Sequence, residues 1–245
     1  MVYKRFIPKI LVSWDDSLGR FDSVLTREYE ISRKIGDPLT QISVLQSNLV
    51  DEIMLINLSP SKMPEYVQLI EKVGTLLTTP LSVGGHISNK VECSQLIAAG
   101  ADRLILGRNR LDSELSHFIS HEFGQQASSC SIDFREDEID RLVADSDFLV
   151  NQVEELGYGE IVLNCISRDG RRTGPDLDLL EVFTQQSKIP IVVSSGIGSV
   201  HHITQAFLQG ASGVAAGTFL SNLDQSPKQI RAHLHANGIH IRYKN

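Results

Sequence analysis

At 245 residues and 41% apolar side chains, the chain can bury a sizeable core, and with no Pro-, Gly- or Ser-rich linker in its middle a single domain over residues 1–245 is expected. A formal charge of −7 argues against a nucleic-acid surface and leaves small phosphorylated molecules open as ligands. Three cysteines, Cys93, Cys130 and Cys165, form no CxxC pair and no even set, so neither a disulfide framework nor a zinc site is expected.

The opening stretch MVYKRFIPKILVSWDD is charged too early to read as a secretory signal, and no run of about 18 apolar residues follows anywhere, so a cytoplasmic protein without membrane contact is expected. The first strand signal is FIPKILV (6–12) and the second EIMLIN (52–57). PEYVQLIEKVGTLL comes next, with Val67, Leu69, Ile70, Val73, Leu76 and Leu77 near helical spacing. Strand signals then recur at PLSVG (80–84), RLILG (103–107), SSCSID (128–133), EIVLNC (160–165), PIVVSS (190–195) and GVAAG (213–217), each separated by room for a helix. Several of these runs are continuously apolar, as in a parallel sheet covered on both sides. Eight such units of about 30 residues each predict an α/β fold, a closed (β/α)8 TIM barrel.

The chain also repeats itself. TPLSVGGHISNKVECSQLIAAGADRLILGRN (79–109) lies without a gap over IPIVVSSGIGSVHHITQAFLQGASGVAAGTF (189–219). Pro80 meets Pro190, Val83 meets Val193, Gln95 meets Gln205, Gly100-Ala101 meets Gly210-Ala211, and Gly107 meets Gly217. DEIMLIN echoes in GEIVLNC, aligning Glu52 with Glu160. A duplicated half-barrel with approximate two-fold symmetry is expected. Repeated halves imply repeated sites, and barrel sites are built by the loops that follow the strands. VGGHIS (83–88) and SSGIGS (194–199) fall there, with LGRN (106–109) and AGTF (216–219) beside them. Their glycines either cradle an anion at a helix N-terminus or serve ordinary tight turns. Two cradles, one per half, would hold a long bisphosphorylated ligand. His201, His202, His233, His235 and His240 lack a matched set of further ligands, so no metal is expected.

Across essentially the whole chain, KRFIP (4–8), GDP (36–38), DEIMLIN, PLSVGGHI, AAGADRLILG, GYGEIVL, SRDGRRTG (167–174) and PIVVSSGIG resemble the cyclase subunit of imidazole glycerol phosphate synthase, the HisF family. The resemblance implies a barrel that takes ammonia from a glutaminase (HisH-like) partner docked on its N-terminal face. The ammonia would pass through the barrel to a bisphosphorylated ribonucleotide at the top. No cofactor is implied. The family's acid-base pair lies at the ends of the first and fifth strands: Asp133 matches the second, but Leu11 stands at the first. Leu has no titratable proton, so that role is unfilled. Asp133 and Asp169, the latter in the SRDGRRTG loop, are the candidate catalytic residues. Asp15 and Asp16 read as solvated carboxylates in a loop extended relative to the family. The candidate phosphate or ligand contacts are Gly84, Gly85, His86, Gly107, Arg108, Gly170, Gly174, Ser195, Gly196 and Gly217, with Lys9.

Other departures fall on the same face. Asn57 stands for an aspartate, His86 for a glycine, Gly107-Arg108 for Asn-Thr and Ile197 for a glycine, while Arg108, Arg168, Arg171 and Arg172 add forked donors suited to phosphate or carboxylate. Lys9 replaces a small inward-pointing residue, and a buried lysine should meet a carboxylate such as Asp133 or hold a ligand anion. On the opposite face the family's charged ammonia gate falls on Arg5, Glu52, Arg103 and Glu160, with Asp102 at the glutaminase contact. A kept entrance beneath a changed acid-base pair resembles the glycosyl-amidation-associated, WbuZ-like members of surface-polysaccharide clusters. The expected role is therefore ammonia delivery in support of amidation of a sugar or sugar nucleotide; the alternative is the histidine-pathway cyclase itself.

Overall fold

The computed structural model describes residues 4–48, 50–107, 113–221 and 226–241. In chain order the elements are β1 (Arg5–Asp15), β2 (Arg20–Arg27), β3 (Glu30–Gly36), α1 (Pro38–Ser47), β4 (Ile53–Asn57), α2 (Met63–Leu76), β5 (Leu81–Gly84), α3 (Lys90–Ala98), β6 (Arg103–Gly107) and α4 (Ser113–Phe123). They continue with β7 (Ser128–Phe134), α5 (Ile139–Ala144), α6 (Ser146–Glu155), β8 (Ile161–Cys165), α7 (Leu177–Gln186), β9 (Ile191–Ser194), α8 (Val200–Leu208), β10 (Gly213–Ala216), α9 (Thr218–Ser221) and α10 (Pro227–Ala236). Neighbouring strands pair in parallel from β4 through β10, β1 pairs in parallel with β4, and β10 pairs back onto β1 from Arg5–Gly213 to Pro8–Ala216. The sheet is therefore the expected closed eight-stranded barrel with intervening helices.

Strand alternation decides which side chains meet. Phe6, Ile10 and Val12 of β1 point out into the large core between barrel and helices, while Ile7 points in. Inward residues Ile7, Met54, Ile105, Val162, Val192 and Ala215 make a separate apolar band across the lumen, with Ile56 packed against it. Outside, α2 presents Met63, Tyr66, Leu69, Ile70 and Val73 to the core, and the Tyr66 hydroxyl donates to the Leu55 carbonyl at 2.8 Å. At the end of the stripe Leu76 is 46% exposed, while Leu77, the C-cap residue, packs against the core.

The repeat survives as geometry. α3 and α8 occupy equivalent positions, each capped by a side-chain oxygen, Asn89 to the Glu92 N–H at 3.0 Å and Ser199 to the His202 N–H at 3.2 Å. Gly100 and Gly210 end their helical segments with φ of 112° and 109°.

One element was not anticipated. The segment read as an extended loop is a hairpin: β1 runs on to Asp15, β2 pairs antiparallel with it, and β3 pairs antiparallel with β2. Asp15 is consequently a buried strand-end carboxylate, bound to Ser17 and ion-paired with Lys34, and not a solvated turn residue; Asp16 is exposed and accepts from the Trp14 indole at 2.9 Å. No helix among the described residues is long and apolar enough to cross a membrane.

Candidate functional site

At the N-terminal mouth, Arg5 and Arg103 open β1 and β6, while Glu52 and Glu160 immediately precede β4 and β8. Barrel curvature brings all four together. Arg5 reaches Glu52 at 2.6 Å and also binds Glu160, and Arg103 lies 3.3 Å from each carboxylate. Burial alone would push the Arg5 guanidinium down, but Glu160 and Glu52 outweigh it and hold it above the ordinary arginine range. Ser82 and Ser129 hydroxyls satisfy the remaining carboxylate valences. Asp102 lies exposed beside this cluster, one of its oxygens accepting from the Leu81 N–H at 2.8 Å. Directly above lies the apolar band of the lumen.

The band opens into a cavity of about 460 Å³ at the C-terminal end, whose walls include Met54, Ile105 and Val162 below and Lys9, Leu11, Asn57, Gly85, His86, Gly107, Asp133 and Asn164 above. Ligand cavities of several hundred Å³ are the ordinary size for a small metabolite. Asp133 accepts from Asn164 Nδ2 at 2.6 Å, Ser131 Oγ at 3.1 Å and the Tyr29 hydroxyl at 3.2 Å, all on Oδ1. Tyr29 comes from the two-residue turn between β2 and β3, where Glu28 and Tyr29 both have positive φ, 54° and 69°. Each non-glycine residue in that region costs about 1–2 kcal/mol, and the turn is held by Arg135 and Arg171 on Glu28 as well as by Tyr29 on Asp133. Burial, then the neighbouring Asp133, push the Tyr29 phenol up, so it acts as a donor.

Lys9 makes no ion pair with a described carboxylate, so the first of its two expected partners is not seen: its amine donates to Asn164 Oδ1 at 3.2 Å and Ser194 Oγ at 3.1 Å. Burial pushes the amine down, while Asp169 and Asp133 act more weakly in the other direction. Asp169 is bound by the Thr26 hydroxyl and by the Tyr29 N–H at 3.4 Å, and lines a separate narrow cleft of about 30 Å³ with Lys9, Leu11, Gly170, Arg172, Ser195, Gly196, Ile197 and Gly217. The two candidate catalytic carboxylates thus belong to adjoining spaces that share Lys9 and Leu11.

The glycine turns divide by task. Gly85-His86 and the equivalent Ser195-Gly196 each place two successive residues at positive φ, 95° and 62° in one half, 80° and 72° in the other. Each half keeps one glycine where close approach demands it. A Cβ on Gly85 would sit 2.1 Å from the Asn57 carbonyl oxygen, and one on Gly196 2.3 Å from that of Gly174. Gly85→Ala is expected to cost about 2–4 kcal/mol, measured as a fall in the urea midpoint, because backbone rather than a flexible side chain must yield. Gly84 and Gly174 line neither space: Gly84 packs under Ile105, and Gly174 donates to the Gly196 carbonyl at 2.7 Å. Arg168 pairs with Glu136 and Asp176 and donates to the Gly174 carbonyl at 3.3 Å, and Arg171 pairs with Glu28. Arg108 lies outside the described residues.

Sequence reasoning missed Tyr29, Asn164, Ser131 and Ser194. Asn164 was reachable, since it shares inward parity with Val162 in EIVLNC. Asn57 adds a further polar contact: it is fully buried, its Oδ1 accepts from the Ser59 N–H at 2.8 Å, and its Nδ2 has no partner among the described residues. A donor left bare in a buried wall costs about 1–3 kcal/mol, so this wall suits a ligand that brings an acceptor.

Comparison with known proteins adds the lineage. Residues 24–224 match the family described as "Histidine biosynthesis protein". The chain is 33% identical to a Prochlorococcus marinus (strain MIT 9313) protein provisionally named imidazole glycerol phosphate synthase subunit hisF2, covering 99% of both. It is 26% identical to imidazole glycerol phosphate synthase subunit HisF of Exiguobacterium sibiricum, covering 99% of this chain and all of that one, and 28% identical to that of Thermotoga sp. (strain RQ2), covering 96% and 97%.

Proposed function

The chain belongs to the histidine biosynthesis protein family, as a HisF-family member, and from that premise we propose that it receives ammonia from a glutaminase docked on its N-terminal face and passes it through the barrel to support amidation of a sugar or sugar nucleotide. The observation that carries the reading is the stack along the barrel axis. A mutually neutralising mouth of Arg5, Glu52, Arg103 and Glu160 leads to an apolar band and then to a polar cavity. Neutral ammonia crosses an apolar constriction at far lower cost than ammonium does. Asp102, exposed beside the mouth, would be among the contacts to that partner. The cyclase reading is favoured by the names its relatives carry and opposed by Leu11 on the cavity wall.

The test reconstitutes the chain with a HisH-type glutaminase and the sugar-modifying amidotransferase, and measures product formed per glutamine hydrolysed. Glu52→Ala is expected to lower that ratio while hydrolysis continues. An unchanged ratio in both Glu52→Ala and Arg5→Ala would reduce the mouth to a structural ion-pair cluster.

A further inference from the structure

Lys9 stands out because the mouth, the apolar band and the glycine turns make no use of it. Its amine projects from β1 into the large cavity and also borders the narrow cleft. Among the described residues only two oxygens engage it, both neutral, Asn164 Oδ1 and Ser194 Oγ. Both of these neighbours accept from the amine and so orient it. Asn164 also links the amine to a proton carrier, since its Nδ2 donates to Asp133 at 2.6 Å.

We propose that Lys9 is a nucleophile that binds the carbonyl carbon of an open-chain aldose or ketose phosphate as an imine. The amine nitrogen adds to the carbonyl carbon, and the oxygen takes a proton to give a carbinolamine. The C–O bond then breaks, water leaves with a second proton, and the C=N bond forms. Both protons come from the amine, so Asp133 need only shuttle them, with the Tyr29 hydroxyl supporting the carboxylate between transfers. No oxidant or reductant enters. The position of Lys9 immediately above the apolar band gives the adduct a further use. Ammonia rising through the lumen would add to the imine carbon, and expulsion of the lysine amine would leave the sugar imine, R₂C=NH, with Lys9 regenerated. That last exchange rests on the proposed ammonia delivery; formation of the imine does not. Burial, which favours the uncharged amine at Lys9, is consistent with the chemistry.

The experiment uses the whole chain alone, with ribulose 5-phosphate as probe and sodium cyanoborohydride to reduce any imine to a stable secondary amine, followed by peptide mapping. An ordinary lysine at about pH 7.4 holds only about one part in 10³ as free amine, so Lys9 is expected to be labelled ahead of exposed Lys34, Lys72, Lys90 and Lys188 and to be the main modified residue at early times. Asp133→Asn is expected to slow labelling about tenfold or more without moving it to another residue. Labelling confined to the exposed lysines, with Lys9 unmodified in the folded protein, overturns the proposal and leaves ammonia delivery untouched. An unchanged coupling ratio in the mouth variants overturns ammonia delivery and leaves Lys9 labelling standing.

Discussion

Given the family's bisphosphorylated ribonucleotide and ammonium, the purified protein is expected to form cyclised product about 10²- to 10⁴-fold more slowly than an enzyme with both acid-base groups, since that is the usual worth of one positioned proton-transfer residue. Leu11 is the reason. It lies on β1 at 6% exposure, paired with Ile56 of β4 and Val24 of β2, and its side chain borders both spaces at the top of the barrel. Asp133 lies across the cavity, but no described carboxylate takes the place of Leu11 on β1; Asp169 borders only the adjoining cleft. Asp15, the nearest carboxylate along the strand, is bound to Ser17 and Lys34 and borders neither space. Leu11→Asp is expected to restore little. The new carboxylate would lie two residues from Lys9 in a wall already altered at Asn57 and His86. Turnover in the ordinary enzymatic range, about 1–10³ s⁻¹, would refute this and establish the cyclase reading.

The barrel was legible because its evidence is periodic and redundant. Eight apolar runs, a duplicated strand-helix-strand unit and paired glycines all point to one topology, and an error in any single run leaves the rest intact. The charged mouth was legible for a related reason: Arg5, Glu52, Arg103 and Glu160 sit at strand starts, and strand starts in a closed barrel share one end. The hairpin was not legible. β3 is solvent-exposed along nearly its whole length, so EISRKIG carries no inside-outside alternation, and the turn uses Glu28-Tyr29 where Asn-Gly would have announced it. With the hairpin unseen, Tyr29 could not be placed over Asp133, Thr26 could not be placed on Asp169, and Asp15 looked solvated. For Lys9 the inward direction was legible but its two protein partners were not. Inward parity follows from the strand, whereas the choice between Asn164 and Asp133 depends on the register of strands far away in sequence.

Removing Arg5 is expected to have the largest effect on stability. Glu52 and Glu160 are 3% and 2% exposed, so in Arg5→Met two buried carboxylates would share Arg103 alone, at 3.3 Å from each. Leaving a buried charge without its partner typically costs about 3–5 kcal/mol, which should appear as a lower urea midpoint with an unchanged slope. The loss belongs to the imbalance rather than to the attraction itself, because a buried ion pair gains in Coulomb energy roughly what it loses in hydration. A neutral replacement of the whole cluster, Arg5→Met, Arg103→Met, Glu52→Gln and Glu160→Gln together, should therefore recover most of the stability, with Ser82 and Ser129 still able to bond the two amides. That variant separates the two roles of the mouth. If charge serves only the fold, it will couple glutamine hydrolysis to product as the native chain does. If the paired charges close and open the entrance, it will be stable but uncoupled, leaking ammonia to solvent from the glutaminase side. Full stability with full coupling would remove the gate from the proposed function, whereas failure of the neutral variant to regain stability would show that the ion pairs contribute net free energy beyond mutual compensation.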